Sequence, residues 1–168
     1  MDAYAAIRTK RDSRAYMDRP LDDGVKRRIL QAGRMAGSST NRQPYRFIAI
    51  ETAEQKEALS ACGGFMRHVP QAAWVVAIAM PEEHTLFDAG RAAQNMMVAA
   101  WAEGVASCPV TIHDTECSRL VLGLPEGLQA LHAVAFGYPP DPAQVGAGRR
   151  RKPLAEIVHH ERYGTASR

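Results

Sequence analysis

The chain has 168 residues, a formal charge of +3, and 46% apolar and 23% charged residues. That length suits one domain with a sizeable core, residues 1–168 as a single unit, and the composition is that of an ordinary globular protein rather than a disordered or fibrous one. No apolar run is long enough to cross a bilayer, and the N-terminal MDAYAAIRTKRD has no apolar h-region or cleavage signature; the expectation is a cytoplasmic protein with no membrane partner.

In chain order, Asp2 to Thr9 reads as a short helix with Tyr4 and Ile7 on one side. The polar, basic KRDSRAYMDRP follows. Asp22 or Asp23 is placed to cap a second helix, in which Val25, Ile29, Leu30, Ala32 and Ala36 recur at helical spacing and Gly37 ends the run. A small polar turn, GSSTNRQP, leads into a strand over Phe47 to Ile50, and Ala53 to Ala61 reads as a helix. Gly63 and Gly64 break the chain before WVVAIAM (Trp74 to Met80), a strand buried on both faces that Pro81 stops. Asp88 to Glu103 is a helix apolar almost all round, which belongs in a core or at a subunit interface. Val105 to Val110 is a short strand, Asp114 caps a helix through Leu122, and Leu131 to Phe136 is a strand closed by Gly137. The Pro/Gly-rich YPPDPAQVGAGRRRKP is extended, and a short helix over Pro153 to Val158 precedes the tail. About four strands mixed with five or six helices give an α+β or α/β protein with one central sheet.

Cysteines 62, 108 and 117 form an odd set without metal-type spacing, which suggests reduced thiols. His113 and Cys117 stand four apart on a helix, but two further metal ligands are missing. Gly146-Ala147-Gly148 is no dinucleotide fingerprint, because no strand precedes it. Met96 and Met97 sit at core spacing. The basic run Arg149 to Lys152 alone reads as a solvated surface run, and the chain lacks the aromatics interleaved with basic residues that a nucleic-acid surface uses.

Four stretches together carry more than their parts: KRDSRAYMDRP (Lys10 to Pro20), AGSSTNRQPYRF (Ala36 to Phe47), DAGRAAQNMMVAAWAEGVAS (Asp88 to Ser107), and GYPPDP followed by RRRKPLAEIV (Gly137 to Val158). In order and spacing they resemble the nitroreductase family of flavoproteins, over nearly the whole chain. The resemblance implies an α+β, three-layer fold with a mostly antiparallel sheet between helices, an intertwined homodimer with its flavin sites at the subunit interface, and FMN as cofactor. It also implies NADH or NADPH as reductant and a small electron-poor acceptor, such as a nitroaromatic or a quinone. Carried over residue by residue, it places Lys10, Arg11, Asp12, Ser13 and Arg14 with Arg149 and Arg151 at the phosphate. Gly37, Ser38, Ser39, Asn41 and Gln43 fall at the flavin across the interface. Pro109, Val110 and Thr111 lie beside the ring, with a backbone N–H of Val110, Thr111 or Ile112 facing N5. No side-chain acid or base is implied, since the cofactor does the hard chemistry. Asp12 departs from the family's serine: either it points away and orients a basic neighbour or a flavin group, or Ser13 takes over the contact. A like variant resembles flavin-cleaving relatives, so flavin cleavage, reductive dehalogenation and flavin binding with little turnover stay open as alternatives. The link between Met80 and Asp88 is short, which implies an open active site. Cys108 reads as a buried spectator.

Overall fold

The computed structural model describes residues 1–83, 86–146 and 150–165. Five helices and four strands form three layers: α1 (Ala3–Thr9), α2 (Asp23–Arg34), β1 (Arg46–Ile50), α3 (Ala53–Ser60), β2 (Trp74–Pro81), α4 (Leu86–Ala102), β3 (Ala106–Thr111), α5 (Thr115–Leu122) and β4 (Leu128–Gly137). The strand order is β1-β2-β4-β3, with every neighbouring pair antiparallel. The central strand β2 runs Trp-Val-Val-Ala-Ile-Ala-Met with each of these side chains buried, because both of its faces are covered.

Alternation along the strands divides the core in two. Trp74, Val76, Ile78, Met80, Val134 and Phe136 face α2 and α4, where Ile29, Ala92 and Met96 meet them. Val75, Ala77, Ala79, Ala133 and Ala135 face α3 and α5, with Leu59, Met66, Val69 and Ile112. Each large aliphatic side chain so enclosed contributes about 1.5–3 kcal/mol relative to exposure. A register shift between Ile78 and Ala79 makes Leu131 an extra residue in β4. This bulge keeps His132 on the α2/α4 face and Ala130 on the other.

Several boundaries differ from the sequence reading. β4 begins at Leu128, and α4 begins at Leu86 instead of Asp88. The bulge explains the first difference: it breaks the strict alternation that marks a strand. Pro81 lies inside β2, as its last residue, where a missing N–H is tolerated. Pro153 to Val158 contains one short 3-10 turn, Leu154–Glu156, rather than a helix. Asp22 stands at the N-cap of α2 but its side chain makes no cap bond. α4 is less uniformly covered than its composition suggests, since Phe87, Gly90, Arg91, Gln94 and Asn95 remain exposed.

The expectation of three reduced thiols is corrected. Cys62 and Cys117 are joined in a disulfide across 55 residues of chain, and Cys108 alone is free and buried. Spacing in the chain says nothing about this pair, because the end of α3 and the start of α5 meet only through packing on the sheet. Among the described residues, no helix is long and apolar enough to cross a membrane, and no cluster of three or more metal-ligating side chains is present.

Candidate functional site

The outer edge of β3 is where the basic segment and the 109–111 stretch come together. Asp12 bridges Ser107 in parallel fashion, and the Ser13 N–H donates to the Ser107 carbonyl at 3.0 Å. The N-terminal segment therefore starts a fifth strand and leaves it after one contact. Beyond that contact, no described residue pairs with the outer edge of β3 as far as Thr111. The Ile112 N–H donates to Leu131 of β4 at 2.9 Å. By the alternation of an antiparallel ladder, Val110 and Cys108 also turn their N–H groups inward. Thr111, one residue out of phase, turns its N–H to the open edge, and Pro109 has none to turn. Among Val110, Thr111 and Ile112, Thr111 alone turns its N–H to the open edge.

The side chains of Ser107, Pro109 and Thr111 share the α4 face. Pro109 and Thr111 are exposed there. Ser107 is 1% exposed and its Oγ has no hydrogen-bond partner, an uncommon condition for a buried hydroxyl. His132, half-buried, stands across from Thr111 on this face, and burial holds its imidazole below the usual histidine range.

Lys10 is buried, with its Nζ 3.3 Å from Met97 Sδ of α4 and paired to the Asp12 carboxylate. Asp12 therefore orients a basic neighbour. The Ser13 hydroxyl donates to the Ala15 carbonyl at 3.0 Å and accepts the Ala15 N–H at 3.3 Å. Arg11 donates to the carbonyls of Arg8 and Lys10, both at 2.8 Å. Gly146 lies so close to it that a Cβ there would fall 2.5 Å from Arg11 Cγ. Gly146 is thereby seated on the N-terminal basic segment. Arg151 itself is exposed, and Arg149 lies outside the described residues. The charge of Arg14 acts on Tyr16, His68 and Cys108. Burial pushes the Cys108 thiol up, which supports the spectator reading. Burial first, then Arg14, holds His68 down, and its Nε2 is buried without a partner.

The small polar turn lies beside β1, at the opposite edge of the sheet. Gly37 is pressed against the Arg91 guanidinium, where a Cβ would fall 2.5 Å from Nη2. Ser38 Oγ accepts the Gln43 N–H at 2.8 Å, and Gln43 Nε2 donates to Asn41 Oδ1 at 3.2 Å. Ser39, Asn41 and Gln43 are exposed. Three non-glycine residues here have positive φ: Thr40 at 48°, Asn41 at 56° and Gln43 at 51°. Such conformations cost about 1–2 kcal/mol each, and more for a β-branched residue such as threonine. Strained backbone of this kind clusters at active sites, ligand clamps and switch regions.

The chain matches the family model described as Nitroreductase family over residues 7–80 and 65–138. The chain belongs to that family. It is 29% identical over 146 residues to an Archaeoglobus fulgidus protein provisionally named NADH dehydrogenase/NAD(P)H nitroreductase, covering 80% of this chain and 84% of the relative. A Desulfovibrio desulfuricans structure solved in complex with FMN superposes with a TM-score of 0.81 at 28% identity, covering 97% of this chain and 98% of that one. The Vibrio harveyi NADPH:FMN oxidoreductase, solved with NAD+, shares the fold with a TM-score of 0.85 at 23% identity, covering 96% and 77%. The α+β three-layer fold and its antiparallel sheet are as the resemblance implies. The sequence reading did not single out Ser107, His132, His68 or the strained φ values. For His132 there was a signal, a polar residue inside the apolar LHAVAF; for an orphaned hydroxyl or a positive φ at threonine there was none.

Proposed function

We propose that this oxidoreductase of the Nitroreductase family holds FMN at the open edge of β3. There it takes electrons from NADH or NADPH and delivers them to an electron-poor acceptor, a nitroaromatic, a quinone or a similar small molecule. The observation that carries the reading is the strip Ser107-Pro109-Thr111, with an orphaned buried hydroxyl at one end, an outward N–H at the other, and Lys10 and Arg11 beside it.

The residues fit the group. Lys10, Arg11 and Arg14 come from the N-terminal segment and Arg151 from the C-terminal stretch. Guanidinium and ammonium groups suit a phosphate carrying nearly two charges. Ser107 Oγ offers a hydrogen bond that nothing in the protein takes up. Asp12 is the one discordant group, and its pairing with Lys10 offsets part of its repulsion. When bound, the flavin supplies two-electron chemistry at N5, accepting a hydride from the nicotinamide and passing electrons on. The protein's part is to position. With FMN bound there, Thr111 would offer its backbone N–H to N5, and Pro109 would add no competing donor beside it.

The strained turn completes the site only through a second copy. On one chain it lies three strand spacings from β3, roughly 14 Å, and α2 and α4 cover the face between them. The described C-terminal residues 150–165 are exposed, with Leu154, Ile157, Val158 and Tyr163 offered to solvent. An arm whose described residues are all exposed on their own chain supports an intertwined homodimer. The test is the visible spectrum of the purified protein, followed by steady-state NAD(P)H oxidation with a quinone. A yellow protein that turns over supports the reading. A colourless protein that takes up no FMN on titration overturns it, and a yellow protein without turnover reduces it to flavin binding.

A further inference from the structure

The strand that carries the proposed cofactor strip ends in a covalent clamp. Cys62, just past the C-terminus of α3, is 1% exposed and is bonded to Cys117 in the first turn of α5, with the α-carbons 5.5 Å apart. The Cys62 carbonyl accepts two N–H groups, from His113 at 3.2 Å and from Asp114 at 3.0 Å. Asp114 in turn caps α5, its Oδ1 accepting the Cys117 N–H at 2.8 Å. The next residue, Gly63, rests on the strand itself: a Cβ there would fall 3.0 Å from the Thr111 carbonyl oxygen and 2.6 Å from Met66 Sδ. A side chain at this position would displace the Met66 thioether and press on the strand backbone. Ile112 stays on the sheet through its N–H to Leu131, and the two residues after it, His113 and Asp114, are held by the Cys62 carbonyl beside the disulfide.

We propose that Cys62–Cys117 is a reversible thiol–disulfide site whose oxidised form locks the end of β3 in the position that presents the Thr111 N–H. The inference takes the importance of Thr111 from the function proposed above; the clamp itself stands on the contacts just described. The two sulfurs differ in access, since Cys62 is buried and Cys117 half-buried. A thiolate from an external dithiol therefore attacks Cys117 Sγ. That bond forms as the Cys62–Cys117 bond breaks, and Cys62 leaves as a thiolate that takes a proton. The second thiol of the reductant then attacks its own sulfur in the mixed disulfide and releases Cys117 as a thiol. The protein gains two electrons and two protons, and the dithiol is oxidised to its disulfide. Once the link is gone, the Cys62 carbonyl and Gly63 are positioned by packing and backbone hydrogen bonds alone, and the chain beyond Thr111 opens more readily.

The experiment compares the aerobically prepared protein, the same protein after dithiothreitol, and the Cys117→Ser variant. Thiol titration in denaturant should count one thiol before reduction and three after. Amide hydrogen exchange at His113 and Asp114, whose N–H groups the Cys62 carbonyl accepts, should be at least tenfold faster in the reduced protein and in the variant. FMN titration should show at least threefold weaker binding in both. Three free thiols without reductant would overturn the proposal. So would an intact disulfide whose reduction leaves exchange at His113 and Asp114 unchanged, and faster exchange with unaltered FMN affinity would refute the link to Thr111. A protein that binds no FMN in any state refutes the cofactor reading instead, and the exchange rates then decide the clamp by themselves.

Discussion

The two edges of the sheet are built on opposite principles. The β3 edge is nearly finished by its own chain. Asp12 and Ser13 pair with Ser107, Pro109 removes a donor, and the loop at Cys62 and Gly63 closes the far end. What remains is a short gap with an unclaimed hydroxyl and one outward N–H. The β1 edge is unfinished, and the turn that leads into it is strained and exposed. Exposed strand edges are a liability unless something covers them. A gap of a few atoms suits a ligand, whereas a whole open edge suits another chain. On the function proposed above, the β3 edge would hold the cofactor and a second copy would close the site.

The largest expected effect comes from removing the apolar contacts of the C-terminal arm. Leu154→Ser with Ile157→Ser touches side chains exposed on their own protomer, 73% and 57%, so the isolated fold should lose little. If the arm embraces a second copy, sedimentation should show the mass fall from about twice that of the chain to that of the chain, and FMN should dissociate with the partner. A double variant that stays dimeric would remove the arm from the interface.

A smaller effect distinguishes the charges at the β3 edge. Lys10→Ala should weaken FMN by roughly 1.5–3 kcal/mol, the usual range for a charge-assisted contact, or about 10- to 150-fold in Kd. Asp12→Ser should act in the opposite sense, freeing Lys10 and removing a like charge from beside the phosphate. Titration with riboflavin, which lacks the phosphate, should respond to neither change. Parallel losses for both ligands would place Lys10 at the ring rather than at the phosphate.

The smallest effect belongs to the strained turn. Thr40→Gly relieves a positive φ at a β-branched residue and should stabilise the FMN-free protein by about 0.5–1 kcal/mol, net of the extra freedom glycine gains when unfolded. The same change should weaken FMN binding, because it loosens the segment that carries Ser39 and Asn41. Melting temperatures with and without excess FMN measure both. A variant less stable in both conditions would show that the conformation costs nothing and serves only to end the helix.

Local pattern was enough for much of the fold. The helical spacing of Val25, Ile29 and Leu30, the apolar run at Trp74 to Met80, and Asp114 as a cap all lead to elements that form where the pattern places them. These signals are carried by neighbours in the chain, and hydrophobic period and capping chemistry act over a few residues. β4 was legible only in part, since the bulge at Leu131 interrupts its period. The motifs of the candidate site were legible as a set, in their order along the chain. Their arrangement was not: that Asp12 turns to Lys10, that Thr111 rather than Val110 offers its N–H, and that the turn and the basic segment lie at opposite edges follow from strand order and register. The disulfide is the plainest case. Cysteines 55 residues apart are indifferent to each other in sequence, and they meet because the apolar faces of α3 and α5 bury themselves side by side on one sheet. Composition and period determined what each segment becomes, while long-range packing decided which segments share an edge, a face or a bond.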